Sequence, residues 1–135
     1  IQLNNYNASQ FIWLDLGIKH MMDISEAEFA KKILRLRYLE YPIHVRIGTI
    51  WNPDYNYDID LYKDICWCFA GSIFGGNIKS LIEFADLTKE TSLKIMNEKK
   101  SLMWEINVWK LIYNMDRWKF LFYPCSHDNS IVDNY

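Results

Sequence analysis

The sequence predicts a single α/β domain spanning residues 1–135. Short, continuous apolar runs, which are typical of buried strands, alternate with segments whose apolar residues repeat at helical spacing. This alternation indicates helices layered against a sheet. A length of 135 residues and an apolar content of 50% are sufficient for one hydrophobic core. Aromatic residues make up 16% of the chain. They are expected mainly in that core, and the alternative is that some of them line a groove for sugars or bases.

The first half of the chain is expected to form two strands with a helix between them. Residues 11–15 are a continuous apolar run that ends in an acid, which predicts a fully buried strand. Ser25 and Glu28 have the spacing of a capping box, so a helix is expected to begin after Ser25 and to extend as far as Pro42. Residues 43–47 alternate apolar and polar side chains, as half-buried strands do.

The second half repeats this alternation. Residues 65–70 indicate another buried strand, which leads into the small, glycine-rich segment 71–76 before the next helix. Backbone in such a segment can approach a ligand closely. Asn77 is a suitable N-cap for the helix that follows. A further helix is expected from residue 102 to about residue 115, and residues 119–123 are expected to form a closing strand.

Composition and charge exclude several classes of function. The net charge of −2 provides no basic surface for nucleic acid or for an anionic membrane. No apolar run approaches the roughly 20 residues that a membrane-spanning helix needs, and no signal peptide is expected. The three cysteines lack the paired spacing of zinc sites. We therefore expect free thiols and a cytoplasmic location.

Asp15 and His127 are the candidates for holding a divalent cation. Asp15 ends the first predicted strand, and open α/β sheets bind ligands at the carboxyl ends of their strands. A carboxylate there can hold Mn²⁺ or Mg²⁺ against a diphosphate if a second ligand reaches in. His127, in a polar loop beside Asp128, can be that ligand or can contact the phosphate directly. The alternatives are that Asp15 caps the turn at Gly17 and that His127 is simply solvated.

Glu105 is the candidate catalytic residue. It lies near the start of the predicted helix, for which Ser101 is the expected N-cap, and the helix dipole there favours an ionised carboxylate. Trp104, Ile106 and Trp109 surround it in the sequence. An ionised glutamate beside a sugar pocket can act as a base, as a nucleophile or as a partner for sugar hydroxyls. The alternative is a glutamate that faces water at the start of a helix.

Four segments in sequence order together resemble the HtrL/YibB-like family of glycosyltransferase-like proteins. The likeness extends from about residue 11 to residue 131 and also includes a more distant similarity to the ABO-type glycosyltransferases. Each motif is weakly specific alone, and the four in order are more specific. The segments are residues 11–20 (FIWLDLGIKH), 68–76 (CFAGSIFGG), 104–109 (WEINVW) and 127–131 (HDNSI).

This resemblance implies a GT-A fold, a Rossmann-like α/β layer that binds a nucleotide sugar at its strand ends. Asp15 matches the acid that approaches the donor diphosphate and a Mn²⁺ or Mg²⁺ ion, and His127 would close over the diphosphate and share the metal. Glu105 would lie beside the anomeric carbon or the acceptor. The implied partners are a nucleotide-sugar donor, with a UDP-sugar expected, and a glycan or protein hydroxyl acceptor. The implied donor-binding residues are Asp15, Gly71, Ser72, Gly75, Gly76, Trp104 and His127.

Two departures from the family pattern bear on these expectations. The common Asp-x-Asp metal motif is here Asp15-Leu16-Gly17, which leaves fewer protein ligands for a cation. Only ten residues precede the first predicted strand, where a GT-A enzyme carries its nucleotide-binding part. We therefore expect the chain to be the carboxyl-terminal part of a catalytic domain, with an apolar sheet edge through which chains associate. The alternative function is a catalytically inactive binding or assembly module that keeps the fold.

Overall fold

The computed structural model describes residues 4–40 and 43–135, and its centre is a four-stranded mixed sheet. The strand order is β1-β3-β2-β4. Strand β3 runs antiparallel to both β1 and β2, whereas β4 runs parallel to β2. The predicted α/β class is therefore confirmed, but the sheet is mixed and not parallel. The strands are β1 (Gln10–Leu14), β2 (Val45–Thr49), β3 (Phe69–Asn77) and β4 (Phe120–Pro124).

Helices cover both faces of the sheet. The predicted capping box is present at Ser25 and Glu28, and the side chain of Asn77 accepts a hydrogen bond from Ser80 N, as an N-cap does. Pro42, the predicted limit of the first helix, lies outside the described residues. No helix in the described part of the chain is long and apolar enough to span a membrane. The helices are α1 (Glu26–Leu36), α2 (Ile78–Lys99), α3 (Glu105–Asn114) and α4 (Ser130–Asp133), with a 3₁₀ turn at Ile18–Met21.

The glycine-rich segment 71–76 lies within β3, so the prediction that this strand ends at residue 70 was wrong. Strand β3 begins only at Phe69, four residues later than predicted. A Cβ at Gly75 would lie 2.7 Å from the backbone oxygen of Phe11, and one at Gly76 would lie 2.8 Å from that of His44. These two positions require glycine because backbone on both sides of β3 lies too close to leave room for a side chain.

Two further predicted features differ in the structure. The first strand was expected to be fully buried, but β1 is an edge strand and the Trp13 side chain is 58% exposed. Helix α3 begins at Glu105 with Trp104 as its N-cap, and Trp104 makes no side-chain capping bond. Ser101, the predicted cap, instead donates its hydroxyl to Leu102 O. Local capping chemistry was therefore a poor guide to where α3 begins.

The aromatic residues lie mainly in the core. Phe69 is fully buried, and Phe84 packs against Trp109 between α2, α3 and one face of the sheet. The other face is covered by α1 and α4, where Ile73 of β3 and Ile131 of α4 are buried together with Tyr123. Strand β3 serves both layers because successive side chains alternate between the faces.

The strand directions bring one end of each strand to a common edge of the sheet. Leu14, at the end of β1, pairs with Ile73 in the first half of β3. Thr49, at the end of β2, pairs with Phe69 and lies beside Pro124 at the end of β4. The carboxyl ends of β1, β2 and β4 therefore meet the amino-terminal half of β3, and side chains from distant parts of the sequence converge there.

Candidate functional site

A pocket of about 260 Å³ lies at this edge of the sheet, and we call it the strand-end pocket. Most of its lining comes from four walls, namely the turn after β1, the start of β3, the start of α3 and the loop between β4 and α4, and Ile50, Ile65 and Trp67 from the connection between β2 and β3 also line it. Its volume is below the range of about 300–1,000 Å³ in which pockets for whole small-molecule ligands fall, so it can enclose part of a nucleotide sugar. Residues from these four walls include Asp15, Gly71, Ser72, Trp104, Glu105 and His127.

Asp15 is held in a fixed position at the mouth of the pocket. Its backbone N–H donates to Ser72 O at 2.9 Å, which extends the pairing of β1 with β3 by one residue. One carboxylate oxygen, Oδ1, accepts a hydrogen bond from Gly17 N at 2.9 Å. Asp15 therefore caps the turn, as one of the two sequence-based alternatives stated, and it also lines the pocket with an exposed carboxylate.

Glu105 faces the pocket from the first turn of α3. Its side chain is exposed, as the alternative of a water-facing glutamate stated, and it also lines the strand-end pocket. A Cβ placed on Gly71 would lie only 2.9 Å from Glu105 Oε1, so the carboxylate rests directly against the backbone of β3. Ala70 and Ile106 supply apolar surface beside it. The absence of a side chain at Gly71 therefore leaves room for the Glu105 carboxylate.

The His127 ring is held by an aromatic contact with Trp67 and not by an ion pair with its neighbour Asp128. Its ring lies edge-to-face against Trp67, with 4.5 Å between the centroids and 79° between the planes. Asp128 does not bind His127. Its Oδ1 accepts from Ser130 N at 2.8 Å and from the Ser130 hydroxyl, and these bonds lower the pKa of the Asp128 carboxyl. Asp128 therefore begins the short α4 turn, and the His127 ring is left facing the pocket.

Six of the predicted site residues line one pocket, and two do not. Gly75 and Gly76 lie near the carboxyl end of β3, where neighbouring backbone occupies the space that a side chain would take. Their predicted contact with a donor sugar is not supported by this placement. The six that meet in the strand-end pocket are Asp15, Gly71, Ser72, Trp104, Glu105 and His127.

The two predicted metal ligands, Asp15 and His127, both line the strand-end pocket. Within residues 4–40 and 43–135, no three His, Cys, Asp or Glu side chains lie close enough to form a metal site by themselves. Mg²⁺ usually keeps several waters and is held by one or two carboxylates together with substrate phosphates. A site with one carboxylate and one histidine has too few protein ligands for a permanently bound structural ion. It suits a cation that binds together with the diphosphate of a substrate, whose oxygens supply further ligands.

Asn107 is a residue of the site region that the sequence did not single out. It is 1% exposed, and its amide nitrogen donates to Leu61 O and Asp64 O, both at 2.7 Å. Its Oδ1 accepts from Cys66 N at 2.8 Å. These bonds fasten the 61–66 segment to α3. The sequence contained one signal of this role, an asparagine between the apolar residues Ile106 and Val108. A polar side chain at a buried position is expected to be hydrogen-bonded, because buried polar groups are rarely left unpaired.

Trp67 was also missed, and it lies between two buried cysteines. The sulfur atoms of Cys66 and Cys68 are 3.2 Å apart, and both thiols are free, as predicted. Burial, followed by the hydrogen bond from its neighbour, raises the pKa of the Cys68 thiol, so neither redox nor nucleophilic chemistry is indicated there. The pair anchors the turn that carries Trp67.

In comparisons with known proteins, the chain matches no protein-family model, no curated protein and no solved structure.

Proposed function

We propose that this chain is the catalytic part of a glycosyltransferase of GT-A type that moves a sugar from a nucleotide-sugar donor to a hydroxyl acceptor. One observation carries the proposal. Asp15, Glu105 and His127 come from three distant parts of the sequence and line a single pocket at the strand ends. Ligands of open α/β sheets bind at this position. An acid, a second acid and an imidazole around one small pocket suit a sugar attached to a diphosphate.

The proposed chemistry is mainly electrostatic. The bond between the anomeric carbon and the diphosphate oxygen breaks as the acceptor oxygen binds that carbon, and the nucleoside diphosphate leaves with the electron pair. His127 donates a hydrogen bond to the departing diphosphate. Glu105 orients the acceptor hydroxyl, offsets the positive charge that develops at the anomeric carbon, and accepts the proton that the hydroxyl loses as the new bond forms. Groups held in place before the reaction stabilise such charges without reorganisation.

A divalent cation fits this scheme at Asp15. The carboxylate would hold Mn²⁺ or Mg²⁺ together with the two phosphates of the donor, and His127 is the second protein group within the same pocket. The cation would neutralise charge on the leaving diphosphate. Because Asp15 Oδ1 already accepts the Gly17 N–H, the side chain is held ready for this contact.

Thermal unfolding with UDP, GDP and UDP-sugars, each with and without Mn²⁺, tests the proposal. A ligand at one hundred times its dissociation constant stabilises the native state by about 2.7 kcal/mol, which raises the Tm by several degrees. We expect a Mn²⁺-dependent shift with a UDP-sugar that Asp15→Ala abolishes. Asp23→Ala, which removes an exposed acid outside the pocket, should retain it. The absence of a shift with every nucleotide would contradict the proposal.

Glu105→Gln tests the catalytic step separately. The amide keeps most of the shape of the carboxylate but loses its charge. We expect turnover to fall by roughly 100-fold, the size of a well-placed electrostatic contribution, while the nucleotide-induced Tm shift stays close to that of the wild type. Full transfer activity in Glu105→Gln would show that this role is wrong.

A second candidate function is a catalytically inactive binding or assembly module. It is favoured by an apolar groove of about 500 Å³ between the edge strand β1 and helix α2, lined by aromatic residues that include Phe11, Trp13 and Phe74. Large apolar patches often mark interaction sites. For such a module no nucleotide should raise the Tm, and self-association measured by sedimentation should weaken in Trp13→Ala.

A further inference from the structure

A second pocket adjoins the strand-end pocket on the far side of Glu105. It has a volume of about 320 Å³, and its walls are Leu61, Tyr62 and Lys63 from one loop and residues 102–105 from the segment that leads into α3. Trp104 and Glu105 line both pockets. A group in one pocket and a group in the other would therefore meet beside the Glu105 carboxylate.

We propose that this second pocket, which we call the loop pocket, binds the acceptor as a saccharide, with Tyr62 and Trp104 as its stacking surfaces. The inference rests on the proposed function, because it takes the strand-end pocket as the place of the donor sugar. A two-substrate transfer needs two adjacent sites with the reacting atoms between them. The two pockets satisfy this requirement at Glu105, which among the described residues is the only acid that lines both of them.

The side chains of the loop pocket suit a carbohydrate. Trp104 is 56% exposed and Tyr62 is 40% exposed, so both aromatic residues are accessible to a ligand. Sugars present C–H groups on one face of the ring and hydroxyls around its edge, which matches aromatic rings beside a carboxylate. The Glu105 carboxylate can accept hydrogen bonds from such hydroxyls. Lys63 already binds Asp60 at 2.9 Å, so the pocket does not present it as a free cation for an anionic ligand.

The loop pocket is preformed because its loop wall is fastened from behind. Asn107 holds the carbonyl of Leu61 directly and that of Asp64 two residues beyond Tyr62. The Lys99 ammonium lies 5.2 Å from the centroid of the Tyr62 ring, which supports that ring from α2. A ligand that binds here therefore pays little to order the loop. Its small volume suits one or two sugar rings better than an extended peptide.

Direct binding of simple glycosides tests the inference. The probes are methyl glycosides of glucose, galactose, mannose and N-acetylglucosamine, studied by saturation-transfer NMR and by the indole N–H resonances of the labelled full chain. We expect at least one glycoside to shift the Trp104 resonance. Tyr62→Ala and Trp104→Ala should each weaken its binding by about 3- to 10-fold, the effect of losing one aromatic contact. The matched controls Tyr55→Ala and Trp13→Ala remove exposed rings outside both pockets and should bind as the wild type does.

The outcomes separate this inference from the proposed function. If no glycoside binds, or if glycosides bind equally to Tyr62→Ala and to Tyr55→Ala, the saccharide site is overturned even where UDP stabilises the protein. If glycoside binding depends on Tyr62 but no nucleotide binds, the proposed transferase fails and the saccharide site stands. Tyr62 lies outside the strand-end pocket, so the affinity of Tyr62→Ala for UDP should remain within about twofold of the wild type. A larger loss of UDP affinity would mean that the variant disturbs the fold. In that case Tyr62→Phe, which keeps the ring, should bind both UDP and the glycoside as the wild type does if the inference is right.

Discussion

Replacing Asn107 with alanine is expected to destabilise the protein by about 2–6 kcal/mol. The side chain is 1% exposed and makes three hydrogen bonds to the backbone of a segment more than 40 residues away in the sequence. Its loss leaves the buried N–H of Cys66 without a partner, at a cost of about 1–3 kcal/mol. The bonds to Leu61 O and Asp64 O contribute about 0.5–1.5 kcal/mol each, because those carbonyls can turn to water instead.

Urea unfolding followed by tryptophan fluorescence measures this change, and thermal unfolding checks it. For a domain of this length, each kcal/mol corresponds to about 3–5 °C in Tm, so a decrease of about 6 °C or more is expected. The matched control is Asn114→Ala, which removes an exposed asparagine from the same helix and should stay within about 0.5 kcal/mol of the wild type. Asn107→Asp keeps an acceptor for Cys66 N but loses the two donors, so it should also be less stable than the wild type.

One result would refute the reasoning. If Asn107→Ala lies within about 1 kcal/mol of Asn114→Ala, the three hydrogen bonds do not hold the 61–66 segment in solution. The loop pocket would then lack its rigid wall. If Asn107→Ala does not fold at all while Asn114→Ala does, the loss of stability is at least as large as expected and the reasoning stands.

Two further predictions concern packing and pH. Gly75→Ala should cost about 1–3 kcal/mol, because the new methyl group would lie 2.7 Å from Phe11 O, whereas Gly17→Ala meets no atom closer than 3.5 Å and should be nearly neutral in urea unfolding. Burial raises the pKa of the Cys125 thiol to about 12, and the hydrogen bond with Asp54 raises the pKa of the Tyr113 phenol to about 12. Both groups hold their protons longer in the native state, so their stabilisation is complete below their ordinary pKa values of about 8.5 and 10 and is lost as the pH rises toward 12. The urea midpoint should therefore fall between about pH 9 and pH 11, with a shallower slope in Cys125→Ala, and a midpoint that rises over this range would contradict the prediction.

Signals confined to a few neighbouring residues were sufficient for several elements. The capping box at Ser25 and Glu28 marked the start of α1, and Asn77 marked the start of α2. Both depend on a side chain that reaches a backbone N–H within the same turn, which the sequence spacing alone specifies. The alternation of apolar runs with helical periodicity likewise predicted the α/β class.

Where the predictions were wrong, contacts between distant segments overrode the local pattern. The third strand was expected to end at residue 70, before the glycines of segment 71–76, but β1 and β2 pair with this segment on both sides and supply its backbone with hydrogen-bond partners. Helix α3 begins without a capping side chain because its start is set by packing against the sheet and by the bonds of Asn107. No short window of sequence contains these partners.

The sequence by itself determined which residue types were available to a site. It singled out Asp15 at the end of a predicted strand, Glu105 at the start of a predicted helix and His127 in a polar loop. Only the tertiary structure decided that these three residues share a pocket, because that depends on the strand order and on the mixed strand directions. It also decided that Gly71 faces Glu105 whereas Gly75 faces the backbone of β1. Two glycines of the same segment therefore have different roles, because strand pairing between distant parts of the sequence decides which atoms lie against each of them.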